Sequence, residues 1–441
     1  MIKFFGRKNE LSLLRETEAL SHSVAQFTVL SGNRRIGKTS LVKEAYGYDK
    51  ILYFFVSKKS EANLCDIFQH EVEAKLGLTI LGKAERFESL FEYIMQYSKT
   101  HSITLFIDEF QVFQKVDSSI YSDIQKIWDI YKDEAHINLI VAGSNRTMLM
   151  RLFEGSTEPL FGRQTRSIRL RPFCPSTLKE IMDTYNPKHS NDDLLALYSV
   201  TGGVARYVEL LMDVGAVTKR KIYDEIFREH SMFIVDGRNH LIEEFGKDYG
   251  LYFSILTAIA TGHYERSQIE DMVGAGVGGQ LAALEDVYGI ISKHQPLFAA
   301  SKKNTKYMLH DNFYVFWFRY IFKYNYMVEI GAWQKLKELV DSDYETFTGK
   351  RLEQYFYDKL VEKQQYTRLG QWWSRNGETD IDLIAIDEIE HSAVFYEIKR
   401  KKKDVNLTLL EQRTDEFLNA THQLKDYTIT VQGLSMEDMT V

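Results

Sequence analysis

A chain of 441 residues, 44% hydrophobic and 27% charged, is long enough for roughly three domains and too apolar to be disordered. No stretch approaches the ~18 uncharged apolar residues that cross a bilayer, the start MIKFFGRKNE lacks an apolar signal segment, and two cysteines, Cys65 and Cys174, cannot build a disulfide framework. A cytoplasmic setting and no membrane partner are therefore expected, and the net charge of -7 argues against indiscriminate coating of nucleic acid while leaving room for a local basic groove.

The first ~170 residues alternate short apolar runs with helix-like segments. FTVLSG (27–32), ILYFFVS (51–57), ITLFIDE (103–109) and INLIVAGS (137–144) read as buried parallel strands, and SIRLRPF (167–173) as a fifth. TSLVKEAYG (39–47) reads as a helix. This is an α/β pattern of βαβ units around a parallel sheet. STLKEIMDTY and DDLLALYSV have helical spacing, and TGGVARYVELL sets two glycines before another helix. LYFSILTAIA, SQIEDMV and GGQLAALEDVYGI suggest three short helices, and ISKHQPLFAASKKNTKYMLHD a two-stranded ribbon with a basic turn, an order that suggests a winged helix. The aromatic run FYVFWFRYIFKY (313–324) reads as a buried connecting helix, and DIDLIAI (380–386) and AVFYEIK (393–399) as strands of a further α/β segment.

The sharpest motif is GNRRIGKT, Gly32 to Thr39, which fits G-x-x-x-x-G-K-[ST] between a strand and a helix. The loop Gly32, Asn33, Arg34, Arg35, Ile36 and Gly37, with Lys38, Thr39 and Ser40, has the residue types a nucleotide triphosphate needs. Glycines let backbone N–H groups approach the phosphates, lysine neutralises the β- and γ-phosphates, and the threonine hydroxyl binds Mg²⁺. LFIDEF (105–110) ends a strand in Asp108 and Glu109. In such a fold the first acid holds the Mg²⁺ shell and the second polarises the attacking water, which favours ATP. Ser144, with Asn145, ends the next strand and can contact the γ-phosphate or orient water; a plain strand-end turn is the alternative. Arg163 in PLFGRQTR is a candidate for acting on a neighbouring copy's nucleotide in an ATP-dependent homo-oligomer, with Arg166 as its competitor and a surface salt bridge as the bland explanation. GAGVGG (274–279) contains G-x-G-x-x-G but follows a helical run, so it reads as a turn.

FGRKNELSLLRE, SGNRRIGKTSL, LFIDEFQ, the GSN turn, PLFGR, LRPF and TGGVARY occur in this order. Together they resemble the archaeal-type ATPases of the AAA-related signal-transduction branch over roughly the first 240 residues. The resemblance implies a strand inserted between the P-loop strand and the Asp108–Glu109 strand, then a helical lid and a winged helix. The relatives usually carry Gly-Gly-x-Pro-x-Tyr, whereas Ala205 holds the proline position in this chain.

Near the C-terminus, DIDLIAI sets Asp380, Asp382, Ile384 and Ile386 on one face, and AVFYEIK sets Phe395, Glu397 and Lys399 on one face. Both strands are otherwise apolar on both sides, so their charges need partners or a metal. Asp382 with Glu397 and Lys399 on neighbouring strands resembles the PD-(D/E)xK nuclease superfamily. The resemblance implies Mg²⁺ or Mn²⁺ on Asp382 and Glu397, Lys399 positioning the water or neutralising developing charge, and Glu353, from GKRLEQYFYDKL (349–360), as a further ligand. The relatives often read Glu-Ile-Asp where this chain has Asp380-Ile381-Asp382. The wider segment, roughly 309–441, resembles the C-terminal domain commonly joined to these ATPases. The expected division is a P-loop ATPase core over 1–175, a helical lid over 176–248, a winged helix over 249–310, and a connecting helix with a nuclease-like domain over 311–441.

The run Lys399 to Lys403 and the wing lysines Lys302, Lys303 and Lys306 can hold a DNA or RNA backbone; a solvated loop and a plain spacer are the alternatives. The sequence thus predicts an ATP-driven switch joined to a nuclease-like effector. The alternative is a regulatory ATPase whose C-terminal domain only binds a partner, and a small-molecule kinase leaves the long C-terminal half unexplained.

Overall fold

The computed structural model describes residues 3–299, 304–374 and 377–440. The chain divides into two compact units, Gly6–Arg171 and Pro172–Val441 joined by Met1–Phe5.

The first unit is a parallel sheet of β1 (Gln26–Ser31), β2 (Ile51–Phe55), β3 (Ile103–Asp108), β4 (Ile137–Gly143) and β5 (Arg166–Arg169). The strand order is β2-β3-β4-β1-β5, and each neighbouring pair is parallel. β4 therefore lies between the P-loop strand β1 and the acid-bearing strand β3, as the family resemblance implies. Every residue of β1 and β4 is buried, which is why both read as unbroken apolar runs. β5 is shorter than SIRLRPF suggests. Leu170 N–H still donates to Ser31 O at 2.8 Å, but Pro172 has no N–H with which to extend a ladder. Helices Phe87–Tyr97 and Ile120–Tyr131 bury residues at three- and four-residue spacing, among them Phe87, Leu90, Phe91 and Ile94, and Ile120, Ile124, Ile127 and Trp128. The core is rich in aromatic contacts: Phe54 stacks on Phe68 at 4.3 Å, and Phe27 meets Trp128 at 5.0 Å and Phe153 at 5.3 Å. Each such ring contributes about 1.5–3 kcal/mol by leaving water.

The second unit opens with helices, among them Pro175–Tyr185, Asn191–Thr201 and Ala205–Asp213. Three further helices, Tyr249–Ala260, Arg266–Val273 and Gly278–Asp286, precede an antiparallel hairpin of β6 (Ile291–His294) and β7 (Lys306–Leu309). GAGVGG spans the turn between two of those helices, with Gly274 capping the first at φ 74° and Gly278 and Gly279 opening the second. Lys302 and Lys303 lie outside the described residues. The aromatic run is buried and helical, but it opens from an α-helix at Asn312–Phe316 into a π-helix at Trp317–Phe322. Gly237 makes room for this wider turn, since a Cβ there would stand 2.7 Å from the Trp317 indole. GKRLEQYFYDKL belongs to a much longer helix, Trp333–Lys363.

The C-terminal sheet has the order β11-β10-β9-β8, with β8 (Arg368–Trp373), β9 (Asp380–Asp387), β10 (Ser392–Lys399) and β11 (Thr428–Ser435). β9 runs antiparallel to both neighbours, and β10 is parallel to β11. Helix Leu407–Thr421 makes the crossover between the parallel pair, as parallel neighbours require. Neither β8 nor β11 was singled out as a strand from sequence. β8 has a register shift between Gly370 and Trp372, and β11 is a half-exposed edge strand. No helix among the described residues is long and apolar enough to cross a membrane.

Candidate functional site

β1 ends at Ser31, and helix Lys38–Tyr46 begins seven residues later. Gly32 cannot carry a side chain, because a Cβ would lie 2.7 Å from Leu170 O. Arg35 (φ 68°) and Gly37 (φ 96°) are left-handed, and such residues turn successive N–H groups towards a common concavity, the form of an anion nest. Ile36 is buried and its carbonyl accepts from the Arg7 guanidinium at 3.4 Å. Arg34 and Ser40 are exposed at the mouth of the loop.

Lys38 is buried. Its Nζ donates to Gly32 O at 2.8 Å and Asn33 O at 3.1 Å. Burial holds the ammonium below the usual lysine range, opposed by the charges of Glu109 and Asp108. Asp108, at the end of β3, is pushed up from the usual carboxylate range by burial, against the Thr39 hydrogen bond. Thr39 Oγ1 donates to Asp108 Oδ2 at 2.6 Å, and the Tyr53 hydroxyl to the same oxygen at 3.3 Å. Glu109 is left-handed (φ 56°) and its backbone N–H donates to Asp108 Oδ1 at 3.0 Å. Its Oε2 accepts from Ser144 Oγ at 2.8 Å and Gln111 Nε2 at 2.6 Å. The P-loop, both acids and Ser144 thus converge at the C-terminal ends of neighbouring strands. ATP with Mg²⁺ fits this set: a buried ammonium faces loop carbonyls only until phosphate oxygens replace them, and the Thr39–Asp108 pair offers two hard oxygens.

Asn145, by contrast, accepts from Met148 N–H at 2.9 Å and caps helix Arg146–Glu154. Arg163 is not brought to this site. Its guanidinium is 2.7 Å from Asp129 Oδ2 and donates to the carbonyls of Pro159 (2.9 Å) and Phe161 (3.1 Å). Arg166 pairs with Glu16 at 3.2 Å. Tyr53 and Gln111 were not singled out from sequence. Gln111 follows the acid pair by two residues, which is its only sequence signal.

A second cluster lies in the C-terminal sheet. β9 and β10 pair from Ser392–Asp387 to Tyr396–Leu383. Beyond that point the Asp382 carboxylate accepts from Ile398 N–H at 2.8 Å. Lys399 Nζ is 3.4 Å from Asp382 Oδ2 and 3.6 Å from Glu397 Oε1, and Glu397 Oε2 accepts from Asn406 N–H. Glu353 on helix Trp333–Lys363 joins them through Gln371, whose Nε2 reaches Glu353 Oε2 (3.3 Å) and Asp382 O (3.0 Å). Lys350 pairs with Glu353 at 2.9 Å. Burial, with the charges of Asp382 and Asp380, pushes the Glu353 carboxyl up to about 7 against the pull of Lys350. The structure therefore brings together Glu353, Asp382, Glu397 and Lys399, and adds Gln371 and Lys350; the i,i+3 spacing of Lys350 and Glu353 was the signal for the last. Among the described residues no group of three or more His, Cys, Asp or Glu side chains is placed to hold a metal. Asp382 and Glu397 carry the hard oxygens that Mg²⁺ takes, and Lys399 lies against both of them. The basic run splits: Arg400 donates to Thr348 Oγ1 and to Asp192 Oδ1 (2.9 Å) over the Tyr344 ring, while Lys402 and Lys403 are exposed.

The fold and the first cluster define the N-terminal part as a P-loop ATPase domain. Residues 4–211 match the family described as an ATPase domain predominantly from Archaea, and residues 317–414 match a family of archaeal and bacterial proteins of unknown function. The protein MJECL04 of Methanocaldococcus jannaschii is 26% identical over 411 residues, covering 90% of this chain and 88% of the relative. Among solved structures, the Walker-type ATPase PabY2304 of Pyrococcus abyssi aligns with a TM-score of 0.53 at 16% identity, over 72% of this chain and 96% of that one. That likeness shows the fold. The Aeropyrum pernix ORC2 protein aligns at a TM-score of 0.48 and 14% identity, over 70% of this chain and 90% of its own.

Proposed function

We propose that the chain is an ATP-hydrolysing switch whose C-terminal unit acts on a phosphodiester backbone. The observation that carries the first half is the convergence of Lys38, Thr39, Asp108 and Glu109. Lys38 neutralises the β/γ-phosphates, Thr39 and Asp108 hold Mg²⁺, and Glu109 polarises the attacking water. Bound Mg²⁺ spreads the developing phosphate charge. Ser144 orients Glu109. Lys38→Ala is expected to remove most nucleotide binding, and Glu109→Gln to bind ATP but turn it over slowly; parental hydrolysis by Glu109→Gln would remove Glu109 from this role.

For the second unit we read residues 176–248 as a lid, 249–310 as a winged helix and 311–441 as a nuclease-like domain. Three helices followed by the β6–β7 hairpin support the winged helix. The Asp382–Glu397–Lys399 cluster supports a site for Mg²⁺ or Mn²⁺ and DNA or RNA. A second reading, a domain that only binds a partner, is favoured by Lys399 neutralising both acids and by the lack of a third placed ligand among the described residues. Calorimetry of the full-length Lys38→Ala variant with Mn²⁺, alongside cleavage assays on labelled DNA and RNA, separates the two. Mn²⁺ binding that Asp382→Ala abolishes supports the nuclease; no heat at millimolar Mn²⁺ and no cleavage leave the partner-binding domain.

A further inference from the structure

Gln111 lies in the short turn Phe110–Val112 directly after Glu109 and is 6% exposed. Its Nε2 and the Ser144 hydroxyl both donate to Glu109 Oε2, at 2.6 and 2.8 Å. Glu109 Oε1 accepts from neither. The other end of the amide, Gln111 Oε1, is buried and has no hydrogen-bond partner among the described residues. Turning the amide round would set its oxygen against the carboxylate, so the carboxylate fixes the amide's orientation, and the unpaired oxygen is the cost of that choice.

The surroundings are shaped to keep this contact. Gly143 ends β4 beside it, and a Cβ on Gly143 would lie 2.2 Å from Gln111 Oε1. Only glycine leaves space for the amide against the strand end. Glu109 is held in a left-handed backbone conformation (φ 56°), and Val112 N–H donates to Glu109 O at 2.8 Å, closing the turn that carries Gln111 back onto the acid. A non-glycine residue keeps such a conformation only where its neighbours over-determine it.

A carboxylate that polarises water has to present one oxygen in a constant direction. Two hydrogen bonds gathered on Oε2 meet that need and leave Oε1 for the water. We propose that Gln111 is the positioning residue of Glu109, pinning Oε2 so that Oε1 faces the attacking water. This rests on the reading of Glu109 as the polarising acid.

The test uses the full chain with ATP and Mg²⁺, measuring kcat, KM and the affinity for a fluorescent ATP analogue. Gln111→Leu and Gln111→Glu remove the donor. Each is expected to lower kcat by about 10- to 100-fold, a share of the 10²–10⁴ that a positioned base supplies, with analogue affinity within about twofold of the parent. In the Glu109→Gln background, Gln111→Leu should add no further loss, which a general loosening of the fold would not reproduce. Gly143→Ala displaces the amide without touching Glu109 and should lower kcat in the same way. If Gln111→Leu does not fold, Gln111→Asn, which keeps the amide but shortens its reach, and Gly143→Ala carry the comparison. Parental kcat in the Gln111 and Gly143 variants overturns the proposal, and so does a raised kcat, which would make Gln111 a restraint. Parental turnover by Glu109→Gln would instead overturn the reading of Glu109 itself, so the two failures are distinguishable.

Discussion

At Lys38 two opposing effects meet in one side chain: burial disfavours the ammonium, and Glu109 and Asp108 favour it. Without a nucleotide its donors go to Gly32 O and Asn33 O, and phosphate oxygens offer a stronger, charge-assisted partner. Lys38→Ala is expected to weaken ATP binding by on the order of 3 kcal/mol, about 100-fold, read by titration with a fluorescent analogue. Glu353 gives a pH signature. Its carboxyl titrates near 7 in the folded chain, above the ordinary 4.5. A raised carboxyl contributes stability that is fully present below the ordinary value and is lost as pH rises through the folded value. Denaturant unfolding of the parent between about pH 5 and about pH 8 should therefore show a fall, on the order of 3 kcal/mol, that Glu353→Gln lacks. Identical pH profiles for the two proteins would mean that Glu353 is charged in the fold at both ends of that range. The acids themselves were legible as residue types in strand-end positions. Their partners were not, because Gln111 and Gln371 are ordinary polar residues until the fold sets an amide beside a carboxylate.

The TGGVARY segment shows the same division at the scale of an element. Gly202 (φ 57°) caps helix Asn191–Thr201, and Gly203 (φ 76°) follows it. A Cβ on Gly203 would lie 2.3 Å from Phe173 O, and Phe173 N–H donates to Gly203 O at 2.8 Å. Gly203→Ala combines a left-handed penalty with a backbone clash and should destabilise by about 2 kcal/mol or more. Ala205, which departs from the proline of the resembled family, is the first residue of helix Ala205–Asp213, and Val204 before it is extended (φ -66°, ψ 117°). That geometry already suits proline, which is favoured at a helix start and wants an extended predecessor. Ala205→Pro should stabilise by about 0.4–1 kcal/mol through the unfolded chain, seen as a higher denaturant midpoint with an unchanged slope; a lower midpoint would show that the Ala205 N–H is needed. Elements written as short continuous apolar runs, such as β1, β3, β4 and β9, were readable. β8 was not, since a bulge breaks its alternation; β11 does alternate between exposed and half-buried residues and was missed.

On the scale of the whole molecule, the two compact units each have a core of their own, around Phe27, Phe54 and Trp128 in one and around Ile384, Phe395 and Phe417 in the C-terminal sheet of the other. Calorimetric unfolding should resolve two transitions, and ATP with Mg²⁺ at 100 times its Kd should stabilise the transition of Gly6–Arg171 by about 2.7 kcal/mol. A single transition that moves as a block would make the chain one cooperative unit. The sequence alone determined the nucleotide class and the βαβ architecture, because a P-loop is a contiguous backbone device and buried parallel strands are written as continuous apolar runs. Period-2 alternation also set Glu397 and Lys399 on one face of their strand, while Asp382 was joined to them only through the resemblance to the PD-(D/E)xK pattern. Only the tertiary structure decided which side chains turn these positions into sites. Gln111 against Glu109, Gln371 between Glu353 and Asp382, and Arg163 against Asp129 are pairings between turns, helices and strands. Such contacts depend on where separate elements pack and on which buried polar group is left to be satisfied, and no local pattern of residues encodes either.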